Sequence, residues 1–170
     1  MPPPAGAVVV AYDERWPRDF AAIREHLLPA FAGLAVTIEH VGSTAVPGLA
    51  AKPVIDLDVV VVEAAQVPRA VAALESLGYA HQGDLGIRGR EAFSVLPGLP
   101  LHHLYVVVHG SPALRDHVDL RDHLRAHPDD AARYAAEKRR LSPLLVSDRD
   151  AYVAGKAWLV EELLARARSS

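Results

Sequence analysis

Cysteine is absent from this 170-residue sequence, which excludes disulfides, thiolate chemistry and cysteine-ligated zinc. Apolar runs of the roughly 18 residues needed to span a bilayer are absent too, and the opening MPPPAGAVVV carries no basic segment. The expectation is a cytoplasmic protein with no membrane partner. Charge of one sign is not in excess. With a net charge of −3 there is no bulk basic field to draw in nucleic acid, so a nucleic-acid partner is disfavoured and any nucleotide site has to be a local patch. Lysine is scarce, 3 against 15 arginines. Lys52, Lys138 and Lys156 are therefore positions where a compact ammonium stands in place of the prevailing guanidinium fork.

What is present suits a packed globule: 51% of residues are hydrophobic, far above the disordered range. One domain spanning 1–170 is expected, with a mixed α/β core over 7–110 and a helical half over 111–170. Residues 1–6 read as a frayed Pro-rich start, and 8–12 as a short edge strand. Asp13 is a candidate N-cap for a helix carrying Phe20, Ile23, Leu27, Leu28 and Phe31 at helical spacing. Strands are expected over 34–41, 54–62, 91–96 and 101–109, the last two as an antiparallel pair, with a further short strand over 79–82. A helix over 67–77 ends at Gly78. Beyond Ser111 three helices follow. The first is capped by Ser111, the second runs from Pro128 towards Leu145, and the third is capped by Ser147 or Asp148 and buries Tyr152, Trp158, Leu159, Leu163 and Leu164.

The stretch EHVGSTAVPGLAAKPVIDLDVVVV, residues 39–62, concentrates the chemistry. Its strand 54–62 is apolar on both faces except for Asp56 and Asp58, which share one face because strand side chains alternate. Burying two like charges together is costly, and a divalent metal is the usual reason to keep both ionised. Just upstream, Gly42-Ser43-Thr44 breaks the preceding strand with a turn.

Val41-Gly42-Ser43, twelve residues, then Asp56-Leu57-Asp58 resembles the signature of polymerase-β-type nucleotidyltransferases. His40 to Leu49 followed by Ala51 to Asp56 resembles, more narrowly, the hallmark block of the GrpB-like family within that superfamily. Further likenesses lie in Tyr12-Asp13-Glu14-Arg15-Trp16, in His103-Leu104-Tyr105-Val106, and in the helical segments containing Arg121, Lys138 and Lys156. The resemblance covers almost the whole chain. It implies a nucleotidyltransferase-like mixed β-sheet flanked by helices, with a C-terminal helical segment, and a family whose members are sometimes fused to dephospho-CoA kinase.

On that resemblance Asp56 and Asp58 are the expected ligands of Mg2+, an oxygen-loving ion suited to such a site. Gly42, Ser43 and Thr44 would cradle phosphate, and Lys52, Arg88 and Arg90 would stabilise its charge. Arg121, Lys138 and Lys156 would add to this if the helical half closes over the cleft. His40 is a supporting residue beside the turn. The superfamily often carries a third carboxylate on a later core strand. Here strand 101–109 offers His103 and Tyr105 instead, leaving His103 as the candidate base and Glu91 as the nearest acid. The competing structural readings are an Asp pair neutralised by Lys52, ordinary turn chemistry at Ser43 and Thr44, and solvated arginines. His123 and His127 have helical i,i+4 spacing, but without HExxH or cysteine they do not make a zinc motif.

The leading functional expectation is a magnesium-dependent nucleotidyltransferase-like protein handling a nucleoside triphosphate and a small-molecule acceptor. The alternatives are a non-catalytic module of the same fold that binds a nucleotide or CoA-related metabolite, and an interaction or dimerisation domain.

Overall fold

In the computed structural model, which describes residues 8–170, the β-branched runs assemble into one four-stranded sheet. The strands are β1 (Val36–Val41), β2 (Ile55–Val61), β3 (Arg90–Ala92) and β4 (His102–Val108), in the order β1-β2-β4-β3. β2 runs parallel to β4 and antiparallel to β1, and β3 runs antiparallel to β4, so the sheet is mixed. The two central strands are those whose sequences are apolar on both faces, as burial from both sides requires.

Two helices, α1 (Trp16–Leu27) and α2 (Val67–Ser76), cover one face. Ile23, Leu27 and Leu74 pack there against Leu57, Val59, Leu104 and Val106, all inaccessible or nearly so. Side chains of this size contribute about 1.5–3 kcal/mol each when fully buried. α2 ends in a Schellman arrangement: Gly78, with φ of 98°, donates to Glu75 O and Tyr79 donates to Leu74 O. Buried behind it, His102 Nδ1 donates to Pro100 O at 2.6 Å, so its Nε2 accepts the Tyr79 hydroxyl proton at 2.7 Å.

The other face is covered unevenly. The first turns of α3 (Pro112–Ala126) seat Ala113 and Leu114 on Val60 and Val107, while the opposite end of that face bears Asp56, Asp58, His103 and Tyr105. The rest of the helical half is α4 (Pro128–Leu141), α5 (Leu144–Ser147) and α6 (Arg149–Ser169). Leu124, Tyr134, Leu159 and Leu163 form a second core with Val46 and Leu49, the segment just after the Gly-Ser turn. Among the described residues no helix is long and apolar enough to cross a membrane.

Several local expectations are corrected. Asp13 does not cap α1. Its carboxylate accepts from the Arg15 backbone N–H and guanidinium, and the helix starts at Trp16 with Pro17 in its first turn. Among the described residues, segments 8–12 and 79–82 make only single bridges, Val10 with Ala51 and His81 with Phe93, and residues 1–6 lie outside the described residues. The third strand stops at Ala92, because Ser94 N then bonds Ala80 O. The helix expected to reach Leu145 breaks after Leu141, where Pro143 lacks the N–H that would continue it. Trp158 is 51% exposed beneath the Arg133 guanidinium: Tyr152, Leu159 and Leu163 form one buried line, and Trp158 is rotated off it. The two caps after residue 110 are Ser111, accepting from Leu114 N, and Asp148, accepting from Ala151 N.

Candidate functional site

Register builds the site. Val41 pairs with Asp56 across β1 and β2, so the residue after Val41 must turn directly beside that carboxylate. Gly42 does so at φ of 73° and ψ of −174°, followed by a single 3-10 turn, Ser43–Ala45. A side chain at this position would be strained, and its Cβ would collide with Asp56 Oδ2. His40, stacked on Phe20 with ring centroids 4.7 Å apart, shares a 2.9 Å hydrogen bond with the Thr44 hydroxyl and braces the turn from behind. Burial pushes its pKa down to about 4, so it is neutral.

The two aspartates project from β2 on the same face but differ in surroundings. Asp56 is partly open, and its Oδ1 accepts from His103 Nδ1 at 2.9 Å across the β2–β4 register. Burial works to raise its pKa, but the His103 hydrogen bond and the charges of His103, Lys52 and His117 hold it below the ordinary carboxylate value. Asp58 is 0% exposed. Its Oδ2 accepts from His117 Nδ1 on α3 at 2.7 Å, while its Oδ1 is buried with no hydrogen-bond partner among the described residues. Burial raises the Asp58 pKa against the pull of His117. The His117 pKa is raised in turn, because its bond to Asp58 and the Asp58 charge outweigh desolvation.

Above Asp56 opens a cavity of about 290 Å³, floored by Gly42, Ser43 and Thr44. Lys52, Lys138, Lys156, Arg90 and Arg149 line it, and Asp56 is the lone carboxylate in its walls among the described residues. All three lysines of the chain are thus in one place. Lys138, only 2% exposed, donates to Ser43 Oγ at 2.8 Å and to Ala50 O at 2.5 Å, tying α4 to the turn. Burial, then repulsion from Lys156 and Lys52, lowers its pKa well below the ordinary lysine value. The Lys138 and Lys156 ammoniums lie over the Tyr134 and Tyr152 rings, 4.6 and 4.9 Å from the centroids. Arg90 stacks on Tyr105 at 4.3 Å. Two buried atoms of the lining residues, Arg90 Nε and the Tyr152 hydroxyl, have no partner among the described residues. Cations and open donors outnumber acceptors there, so the lining is positively charged.

The sequence model of the family described as GrpB protein matches residues 7–166. The chain belongs to the GrpB family. Among relatives, the UPF0157 protein YqkA of Bacillus subtilis is 34% identical over 148 residues, covering 87% of this chain and 43% of that protein. A UPF0157 protein of Pseudomonas aeruginosa is 41% identical over 166 residues, covering 94% of this chain and 66% of its own length. The chain therefore spans less than two thirds of each of these two relatives. The crystal structure of GrpB from Enterococcus faecalis superposes with a TM-score of 0.83 at 28% identity, over 95% of this chain and 98% of that one. The Cid1 poly(U) polymerase superposes with a TM-score of 0.55 at 14% identity, over 77% of this chain and 42% of that one. At that identity the likeness concerns the fold, which is nucleotidyltransferase-like.

In this GrpB-family chain the cavity brings together Gly42, Ser43, Thr44, Lys52, Asp56, Arg90, His103, Lys138 and Lys156 from the sequence-derived set. Asp58 sits behind the cavity wall, and His40 behind the turn. Arg88 is exposed in the glycine-rich loop and does not line the cavity. Arg121 turns the other way, donating to Glu39 Oε2 at 2.7 Å and to His40 O at 3.0 Å. Glu91 bonds His81 at 2.6 Å and pairs with Val106, whose face is the helix-covered one. It does not reach the site, and His123 is taken up by Asp130 at 2.7 Å.

Sequence reasoning missed His117, Arg149, Tyr134 and Tyr152. The tyrosines had a signal: each stands four residues before a lysine, the spacing that stacks them on one helix face. His117 had none, being 59 residues from Asp58.

Proposed function

We propose that the cavity binds the polyphosphate of a nucleoside triphosphate together with Mg2+, and that the protein is a nucleotidyltransferase-like enzyme. It would pass a nucleotidyl or related phosphate-containing group to a small-molecule acceptor. The observation that carries this reading is the convergence of Lys52, Lys138, Lys156, Arg90 and Arg149 on the Gly42-Ser43 turn beside Asp56. The fit to a divalent ion rests on Asp58 Oδ1, a buried oxygen with no partner among the described residues, and on the lowered pKa of Asp56. Among the described residues no three His, Asp or Glu side chains are arranged to hold an ion alone. Ligand phosphates and water would complete the shell, as is usual for Mg2+.

In this reading Ser43 and the turn amides hold the phosphates, and the lysines and Arg90 neutralise charge that builds as the reaction proceeds. His103, its Nδ1 held by Asp56, has Nε2 left to take the proton of an acceptor hydroxyl. The acceptor oxygen forms a bond to the α-phosphorus while the bond to the β-phosphate bridge breaks, and pyrophosphate leaves. The bound ion would supply Lewis-acid stabilisation of the phosphate charge. A net charge of −3 favours a small acceptor over a polynucleotide.

Calorimetry with Mg·ATP tests the site. The protein should bind, and a variant combining Asp56→Ala with Asp58→Ala should lose at least about tenfold in affinity, about 1.4 kcal/mol. Equal binding by the two would sink the metal assignment. One relative supports a second reading: a dephospho-CoA kinase of Mycolicibacterium paratuberculosis, 32% identical over 174 residues, of which this chain spans 42%. There the GrpB-like part would be a non-catalytic module for a nucleotide or CoA-related metabolite. Pyrophosphate release, assayed with each nucleoside triphosphate, separates the two, since the module binds without turnover.

A further inference from the structure

The proposed chemistry leaves His117 without a task. It stands on α3, outside the cavity lining, with its Nδ1 on Asp58 Oδ2 at 2.7 Å and its ring 6.0 Å from that of Tyr105. A histidine kept only to pair with a buried aspartate would be expected to leave that aspartate satisfied. It does not: Asp58 is fully enclosed and its second oxygen, Oδ1, has no partner among the described residues. The pattern repeats next door. Asp56 gives Oδ1 to His103 at 2.9 Å and keeps Oδ2 over Gly42, where only the missing side chain leaves room for it. Two aspartates on one face of β2 are thus each held through one oxygen, by histidines from two different elements, β4 and α3.

We infer that His117 is a positioning residue for a divalent cation, anchoring Asp58 through Oδ2 so that the unpartnered Oδ1 is the atom offered to the ion. A donor on one carboxylate oxygen removes the freedom of the group to rotate and orients the other oxygen, as residues behind metal ligands generally do. His103 does the same for Asp56. The device also joins the site to the helical half, because Asp58 is oriented only when α3 is docked on the sheet. This inference rests on the proposed reading that a divalent ion binds at Asp56 and Asp58.

The test titrates Mn2+ against the full chain by electron paramagnetic resonance, without nucleotide, comparing the natural protein with His117→Leu and His117→Asn. Asparagine keeps an N–H donor near the position of Nδ1; leucine does not. The leucine variant should bind Mn2+ about 10- to 100-fold more weakly, the range typical of residues behind metal ligands, and the asparagine variant should stay within a few-fold of the natural protein. Inorganic tripolyphosphate, measured in EDTA, should bind all three alike, because the lysine wall is untouched. Unchanged Mn2+ affinity in His117→Leu would overturn the inference while leaving the metal site standing. So would equal losses in both variants, or a parallel loss of tripolyphosphate binding, which would mark a merely structural role. Failure of the natural protein to bind Mn2+ both alone and with a nucleoside triphosphate would overturn the metal reading and this inference with it; where binding needs the triphosphate, the same comparison is made in its presence. Should His117→Leu not fold, His117→Gln takes its place: its amide reaches the position of Nε2 and should weaken Mn2+ binding where asparagine does not.

Discussion

Gly42 carries two demands at once. Its φ of 73° is one that a side chain makes costly, and the space where a Cβ would stand is occupied by the Asp56 carboxylate. Gly42→Ala should therefore lower unfolding free energy by about 1–3 kcal/mol from backbone strain, and displace Asp56 as well. Urea denaturation reads the first effect, and loss of Mg·ATP binding the second; an alanine variant equal to the natural protein in both would refute the account. Glycine followed by serine, and two aspartates in a β-branched run, were legible in the sequence because each is an oddity against its local background. That Asp58 is enclosed while Asp56 faces the cavity was not legible, since the two share the same alternation and differ only in what packs above them.

At the scale of elements, α4 and α6 each bring a tyrosine and a lysine four residues apart onto one face, and α6 adds Arg149 from its first turn. Lys138 is the telling case. Its ammonium is buried against a hydroxyl and a carbonyl, and no carboxylate bonds it among the described residues. Enclosing a cation on those terms costs stability that two hydrogen bonds only partly offset. Lys138→Met should leave the urea midpoint unchanged or raise stability by about 1 kcal/mol, while tripolyphosphate affinity falls at least about tenfold. The sign with pH follows from its depressed folded pKa. Between that value and 10.5 the unfolded chain holds a proton that the folded chain does not, so the natural protein gains stability on the methionine variant as pH rises through this window. A methionine variant that is less stable and binds as before would make Lys138 a structural tether alone. Helix positions were legible here from apolar spacing and caps. The break at Ser142–Pro143 and the outward turn of Trp158 were not, because they depend on the neighbours each helix meets.

For the whole molecule, the cavity lies between the sheet and the helical half, with cations from both facing one space. Under the proposed function a polyanion would relieve their mutual repulsion and so tie the halves together. At a concentration 100 times its Kd, a ligand that binds only the folded state adds about 2.7 kcal/mol of stability. For a chain of this size that is a rise in Tm of roughly 5–10 °C. Tripolyphosphate should produce it where sodium chloride of equal ionic strength does not, and thermal melts without that difference would argue against a polyanion site.

The sequence by itself determined the things that local chemistry dictates. It set the order of strands and helices through periodicity, the Gly-Ser turn and the Asp-x-Asp strand through residue types that no ordinary core strand carries, and GrpB-family membership through the block around them. Tertiary structure alone decided the partners: His103 for Asp56, His117 for Asp58, Arg121 for Glu39 and not the cavity, and three distant lysines around one space. The reason is physical. Periodicity specifies which face of an element is buried, but which charged groups then meet is set by the crossing of elements distant in sequence, here α3, α4 and α6 over the open end of the sheet.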